Sequence, residues 1–113
     1  MPSRLTYAIE FVADMDRAIA FYREVVGLEP KFASPEWTEF ATGETTLALH
    51  PASESNPAGR VELGFDVEDI WAFHEMLVAK GITVTRPPSP QHGVIVTSAL
   101  DAEGAQVTFS GTF

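Results

Sequence analysis

Cysteine is absent from the 113 residues, which excludes disulfides, thiolate nucleophiles and thiolate metal sites. No apolar stretch approaches the roughly 20 residues that cross a bilayer, and no basic segment precedes an apolar one at the N-terminus. The expectation is a cytoplasmic protein without a membrane partner. Positive charge is scarce as well: 7 Lys and Arg stand against 16 Asp and Glu, for a formal net charge of -9 at pH 7. That balance disfavours the phosphate contacts that dominate nucleic-acid affinity, so no nucleic-acid partner is expected. Also missing are a glycine-rich phosphate loop, a His-Glu-x-x-His pair and a Gly-x-Ser-x-Gly elbow, and no catalytic residue can be named.

Apolar residues are plentiful. At 45% hydrophobic and 11% aromatic, the chain can bury a modest core, and its length suits one domain over residues 1–113. Arg4 to Val12 reads as a strand rich in β-branched and aromatic residues. Asp14 offers an N-cap, and Met15, Ala18, Ile19, Tyr22, Val25 and Val26 recur as one helical face that Gly27 terminates. Strands are expected at about 29–34, 37–41 and 45–50, the last two joined by Thr42-Gly43-Glu44. A polar, turn-forming linker then occupies 51–59.

The order repeats after the linker. Val61 to Val67 is a strand, Asp69 a cap, and Ile70, Phe73, His74 and Leu77 a helix face ending before Gly81. Strands at 82–85, 93–98 and 105–110 follow, with a loop at Pro87, Pro88 and Pro90 and a turn at Asp101-Ala102-Glu103-Gly104. Val12-Ala13-Asp14 recurs as Val67-Glu68-Asp69. The expected class is therefore α+β: two βαβββ modules, about 4–50 and 60–113, with mainly antiparallel pairing.

The run from Phe11 to Leu28, with Asp14 at a strand end, Ala18-Ile19-Ala20-Phe21-Tyr22 on a helix and Gly27-Leu28 after it, resembles the opening signature of the vicinal oxygen chelate superfamily. This is the glyoxalase, bleomycin resistance protein and dioxygenase family. Phe65 to Asp69, Leu77 to Ile82 and the Asp101 to Gly104 turn, which has Ala102 where the family has proline, carry the likeness across nearly the whole chain. The resemblance implies two modules whose curved sheets enclose a cleft, usually in a homodimer. Members include glyoxalase I, extradiol dioxygenases, fosfomycin-inactivating transferases and epimerases that use a metal there, and bleomycin-binding proteins that do not.

Carried over by spacing, the four metal-ligand positions of that family fall on Tyr7, Ala48, Glu62 and Thr108. Only Glu62 is a good ligand: alanine has no donor atom, threonine is weak, and neutral tyrosine titrates near 10. No metal of the usual type is expected, and no cofactor. A relocated site for zinc, nickel, manganese or iron, built from His50, Glu62 and His92, is the alternative. His74, Phe21, Tyr22, Phe65 and Phe73 read as packing residues. Glu10 falls on the side of its strand that faces the helix, where an unpaired carboxylate is costly; Arg17, Arg23 and Arg60 are its candidate partners, with a place at a dimer edge or a role as proton acceptor as the alternatives.

Strand alternation puts Tyr7, Ile9, Phe11, Thr46, Ala48, His50, Glu62, Gly64, Gln106, Thr108 and Ser110 on cleft-facing sides. Trp37 and Trp71 border the cleft or a dimer seam, or simply pack at the surface. The leading expectation is metal-independent binding of a small aromatic or cationic molecule by Tyr7, Phe11, Ala48, His50, Glu62 and Thr108, as in proteins that sequester an antibiotic. A metal-assisted lyase, isomerase or dioxygenase and an interaction domain with a vestigial cleft are the competing readings.

Overall fold

In the computed structural model of the protein, which describes residues 3–91 and 93–111, the chain forms two compact α+β units. Thr6–Val61 make the first; the second runs from Glu62 and includes Leu5 at the start of the chain.

In the first unit, β1 (Arg4–Val12) leads through helix α1 (Met15–Ala20) to β2 (Pro30–Ala33), β3 (Thr38–Ala41) and β4 (Thr46–Pro51), paired in the order β2-β3-β4-β1. β1 and β4 are parallel, with Tyr7, Ile9 and Phe11 beside Thr46, Ala48 and His50; the other pairs are antiparallel. Because side chains alternate across a strand, this register fixes two faces. One packs Val12, Phe40 and Leu49 against Met15, Ala18, Ile19, Tyr22 and Leu28. The other carries Tyr7, Phe11 and His50 and has no helix.

Asp14 caps α1 by accepting the Arg17 N–H at 3.1 Å. The helix then departs from the periodicity read in the sequence. Phe21–Val26 form a π-helical turn that closes with the N–H groups of Gly27 and Leu28 on the Tyr22 carbonyl. The wider turn resets the phase. Tyr22 stays against the sheet, but Val25 and Val26 are 71% and 51% exposed and Phe21 is 51% exposed, so these three are not core residues. Leu28 packs instead. Gly27 ends the turn at φ 88°, a left-handed conformation that glycine adopts without strain.

Glu10 meets none of the expected arginines. The Tyr22 hydroxyl donates to its carboxylate. Burial first, then that hydrogen bond and the Glu10 charge, push the Tyr22 phenol up to about 12. The folded state therefore favours the neutral phenol. This stabilisation is complete below the unfolded value near 10 and is lost as pH rises from about 10 to about 12. We expect Tyr22→Phe to cost about 1 kcal/mol at neutral pH and to weaken the alkaline loss of stability in that window. Urea titrations at several pH values measure both; an unchanged alkaline slope would refute the pairing. Tyr7, also raised, keeps part of the slope in the variant.

The expected linker is not a free tether. After Pro51 the chain returns along β1: the Ala52 N–H donates to the Val12 carbonyl at 2.8 Å, the Phe11 N–H to Arg60 at 2.9 Å and the Gly59 N–H to Phe11 at 2.8 Å. Arg60 donates to the Ser55 carbonyl and the Asn56 side chain. Both backbone polar groups of Phe11 are thus held by residues 59 and 60.

The second unit has β5 (Val61–Asp66), helix α2 (Ile70–Ala79), β6 (Val84–Gln91), β7 (Val94–Leu100) and β8 (Gln106–Gly111), ordered β5-β8-β7-β6. β5 and β8 are parallel, and β8-β7 and β7-β6 antiparallel. Asp69 caps α2 through the Ala72 N–H. Val67, Ile70 and Ile95 form the core with Phe73 and Phe109. Gly111 fits because a Cβ there would lie 2.7 Å from the Val67 carbonyl oxygen and 3.3 Å from the Ile70 Cβ. The buried Nδ1 of His74 meets no hydrogen-bond partner among the described residues. Pro87, Pro88 and Pro90 are not in a loop: they lie in β6 at the sheet edge, where a missing N–H breaks no ladder, and the register of β6 on β7 shifts twice along them.

Candidate functional site

Four of the expected binding residues come together on the helix-free face of the first unit. The parallel register sets Phe11 beside His50 and Ile9 beside Ala48. Antiparallel pairing sets Glu39 of β3 on the other side of Ala48, which is fully buried between them. Trp37, just before β3, completes the wall. Phe11 and His50 meet edge-on at 5.4 Å between ring centroids, Trp37 and His50 at 6.2 Å, and Tyr7 and Trp37 lie 6.2 Å apart at 56°.

Glu39 organises these rings. Its Oε2 accepts the Trp37 indole N–H at 2.7 Å, and its Oε1 lies 3.6 Å from the Lys31 ammonium. Burial, then the nearby Glu39 carboxylate, raise the Tyr7 phenol above its ordinary value. Lys31 reaches the Thr46 hydroxyl at 3.3 Å as well. Neither Glu39 nor Lys31 was singled out in the sequence. The signal was available, since alternation along β3 puts Trp37 and Glu39 on one side and Phe40 on the other.

The remaining two expected residues belong to the second unit. Glu62 is only 6% exposed, and its carboxylate accepts from the Thr108 hydroxyl and, at 3.2 Å, from the Gln106 amide. Thr108 has one hydroxyl hydrogen, which goes to Glu62, so Ser98 must donate to Thr108 across their 3.1 Å contact. Thr85 donates to the Gln106 carbonyl at 3.0 Å. These four hydrogen bonds all run toward Glu62, which is how neutral groups sustain a buried carboxylate without a cation. A shallow concavity of about 460 Å³ in the same unit, lined by Gly81, Ile82, Thr83, Leu100, Asp101, Ala102 and Gly104, offers little chemistry. The Asp101 carboxylate there is taken by the N–H groups of Glu103 and Ala105.

The chain belongs to the glyoxalase/bleomycin resistance protein/dioxygenase superfamily, whose family model matches residues 4–109. A hypothetical protein from Bacillus halodurans is similar in structure, with a TM-score of 0.84 at 17% identity over 100% of this chain and 96% of that one. Methylmalonyl-CoA epimerase from Mycobacterium tuberculosis gives 0.74 at 18% identity over 97% and 88%. A superfamily member from Vibrio splendidus gives 0.70 at 17% identity over 99% and 100%. No curated protein matches. At these identities the structural likeness shows the fold.

Of the four side chains expected at ligand positions from spacing, Glu62 is a ligand of the right kind and the other three do not suit a divalent ion. Ala48 has no donor atom. Tyr7 is held as a neutral phenol beside Glu39. Thr108 gives its proton to Glu62 and takes one from Ser98. Among the described residues, no group of three or more His, Asp or Glu could hold a metal. His92, the third member of the relocated site considered above, lies outside the described residues. No helix among the described residues is long and apolar enough to cross a membrane.

Proposed function

We propose that the protein binds a small, at least partly aromatic molecule on the helix-free face of its first unit, without the divalent ion of the metal-dependent superfamily members. The observation that carries this reading is the arrangement of Tyr7, Trp37 and His50, with Phe11 behind them, around the Glu39 carboxylate. Rings pinned by hydrogen bonds offer stacking surface at small entropic cost, because their rotamers are already fixed before a ligand arrives. Within the second unit, Glu62 and Thr108 form a separate polar pair. The two donors on Glu62 leave lone-pair sites open for a further one. Sequestration of a toxic compound by a cytoplasmic homodimer is the role such a protein would serve.

A metal-assisted isomerase is the competing reading, favoured by the likeness to methylmalonyl-CoA epimerase. Metal analysis of protein purified without chelator, with thermal-shift titrations of zinc, nickel, manganese, iron and a panel of aromatic compounds, decides between them. The binding reading expects substoichiometric metal, no stabilisation by any of the four ions, and stabilisation by aromatic compounds that rises with their concentration. A stoichiometric metal whose removal lowers the melting temperature would overturn it.

A further inference from the structure

The hydrogen bonding on this face also selects among aromatic ligands. The Nδ1 of His50 lies 2.9 Å from the carbonyl oxygen of Pro51. A carbonyl oxygen only accepts, so Nδ1 carries the hydrogen of the neutral ring and Nε2 keeps its lone pair. His50 is exposed on this side, and its ring edge meets Phe11 and Trp37, neither of which has a donor left for it: phenylalanine has none, and the indole N–H of Trp37 is spent on Glu39. Both oxygens of the Glu39 carboxylate are engaged, Oε2 by the Trp37 indole N–H and Oε1 by the Lys31 ammonium. Its charge is compensated locally by the Lys31 ammonium, which leaves it a poor attractor for a cationic ligand. The open hydrogen-bonding capacity of the face is thus an acceptor on a ring, not an unpaired anion.

We infer that this face takes a neutral planar aromatic molecule that presents an N–H or O–H donor to His50 Nε2, in preference to an aromatic cation. This rests on the binding reading above and adds to it a polarity and a charge. Of the two ligand classes expected from sequence, aromatic and cationic, the geometry favours the first alone.

Indole, N-methylindole, quinoline and N-methylquinolinium serve as probes. Their dissociation constants are read from amide and indole resonances of isotopically labelled protein, and the His50 tautomer from long-range proton–nitrogen spectra of the same sample. Expected are the Nδ1–H tautomer, indole binding about 3- to 10-fold more tightly than N-methylindole, and N-methylquinolinium binding no better than quinoline. His50→Phe keeps a ring and removes the acceptor, and should bring the indole to N-methylindole ratio to about one. His50→Gln restores an acceptor and should recover part of the ratio. Equal affinities in the native protein, a preference for the cation, or an Nε2–H tautomer would each overturn the inference while leaving an aromatic-binding face intact. If none of the probes shifts the Trp37 indole resonance, the binding reading fails with it. The native ratio and the tautomer need no variant, so the test stands even if His50→Phe does not fold.

Discussion

Phe40→Ala is expected to lower the free energy of unfolding by about 3–5 kcal/mol. Phe40 is fully buried and clusters with Val12 and Leu49. Its ring lies 5.7 Å from that of Tyr22. Truncation removes most of that contact and leaves a cavity that α1 cannot follow inward, because Asp14 and the Gly27 turn hold both ends of the helical segment. Small domains have only about 5–15 kcal/mol in total, so the variant should be largely unfolded well below the melting temperature of the native protein. Phe32→Ala, at a side chain 55% exposed on β2, is the control and should stay within about 0.5 kcal/mol. Urea denaturation followed by circular dichroism separates the two. A cost below about 1 kcal/mol at Phe40 would mean that this ring is not the centre of the first core.

Trp37→Ala should weaken binding of an aromatic ligand by about 2 kcal/mol, roughly 30-fold, while changing stability by much less. The indole touches both Tyr7 and His50 and is tied to Glu39, so its removal takes away one wall and frees another. Trp37→Phe keeps part of the wall and loses the bond to Glu39; an intermediate affinity is expected. Calorimetric titration of indole into the three proteins, alongside their thermal melts, measures both effects. Undiminished affinity in Trp37→Ala would place the ligand elsewhere. A melting temperature that falls as far as that of Phe40→Ala would mean Trp37 serves the core.

Much of this was legible in the sequence because period-two alternation is a local property. Tyr7 and Phe11 share one side of β1, and Ala48 and His50 one side of β4, by alternation alone; the parallel register then joins the two pairs on one face. Glu39 escaped although Trp37 is only two residues away, because its other neighbours, Tyr7 and Lys31, reach it only through strand pairings. Glu10 lies on the side of β1 that alternation assigns it, but its partner is a tyrosine hydroxyl from a helical turn and not an arginine, because a neutral donor from a distant element leaves no charge pattern in the sequence.

The π-helical turn was illegible for a different reason. Met15 to Val26 fits a 3.6-residue period over the whole segment, and only the way Gly27 and Leu28 close onto the Tyr22 carbonyl forces the wider turn. In β6, local propensity argued for a loop, and a position at the end of the sheet overruled it.

That position has a consequence for the protein in solution. A terminal strand ordinarily offers a row of amide hydrogens on which an extended segment of another molecule can add. Pro87, Pro88 and Pro90 have no such hydrogens, and the two register shifts bend the strand between them. An incoming segment would find no regular ladder on this flank, so sheet growth from molecule to molecule is blocked there by the backbone itself, whatever the net charge.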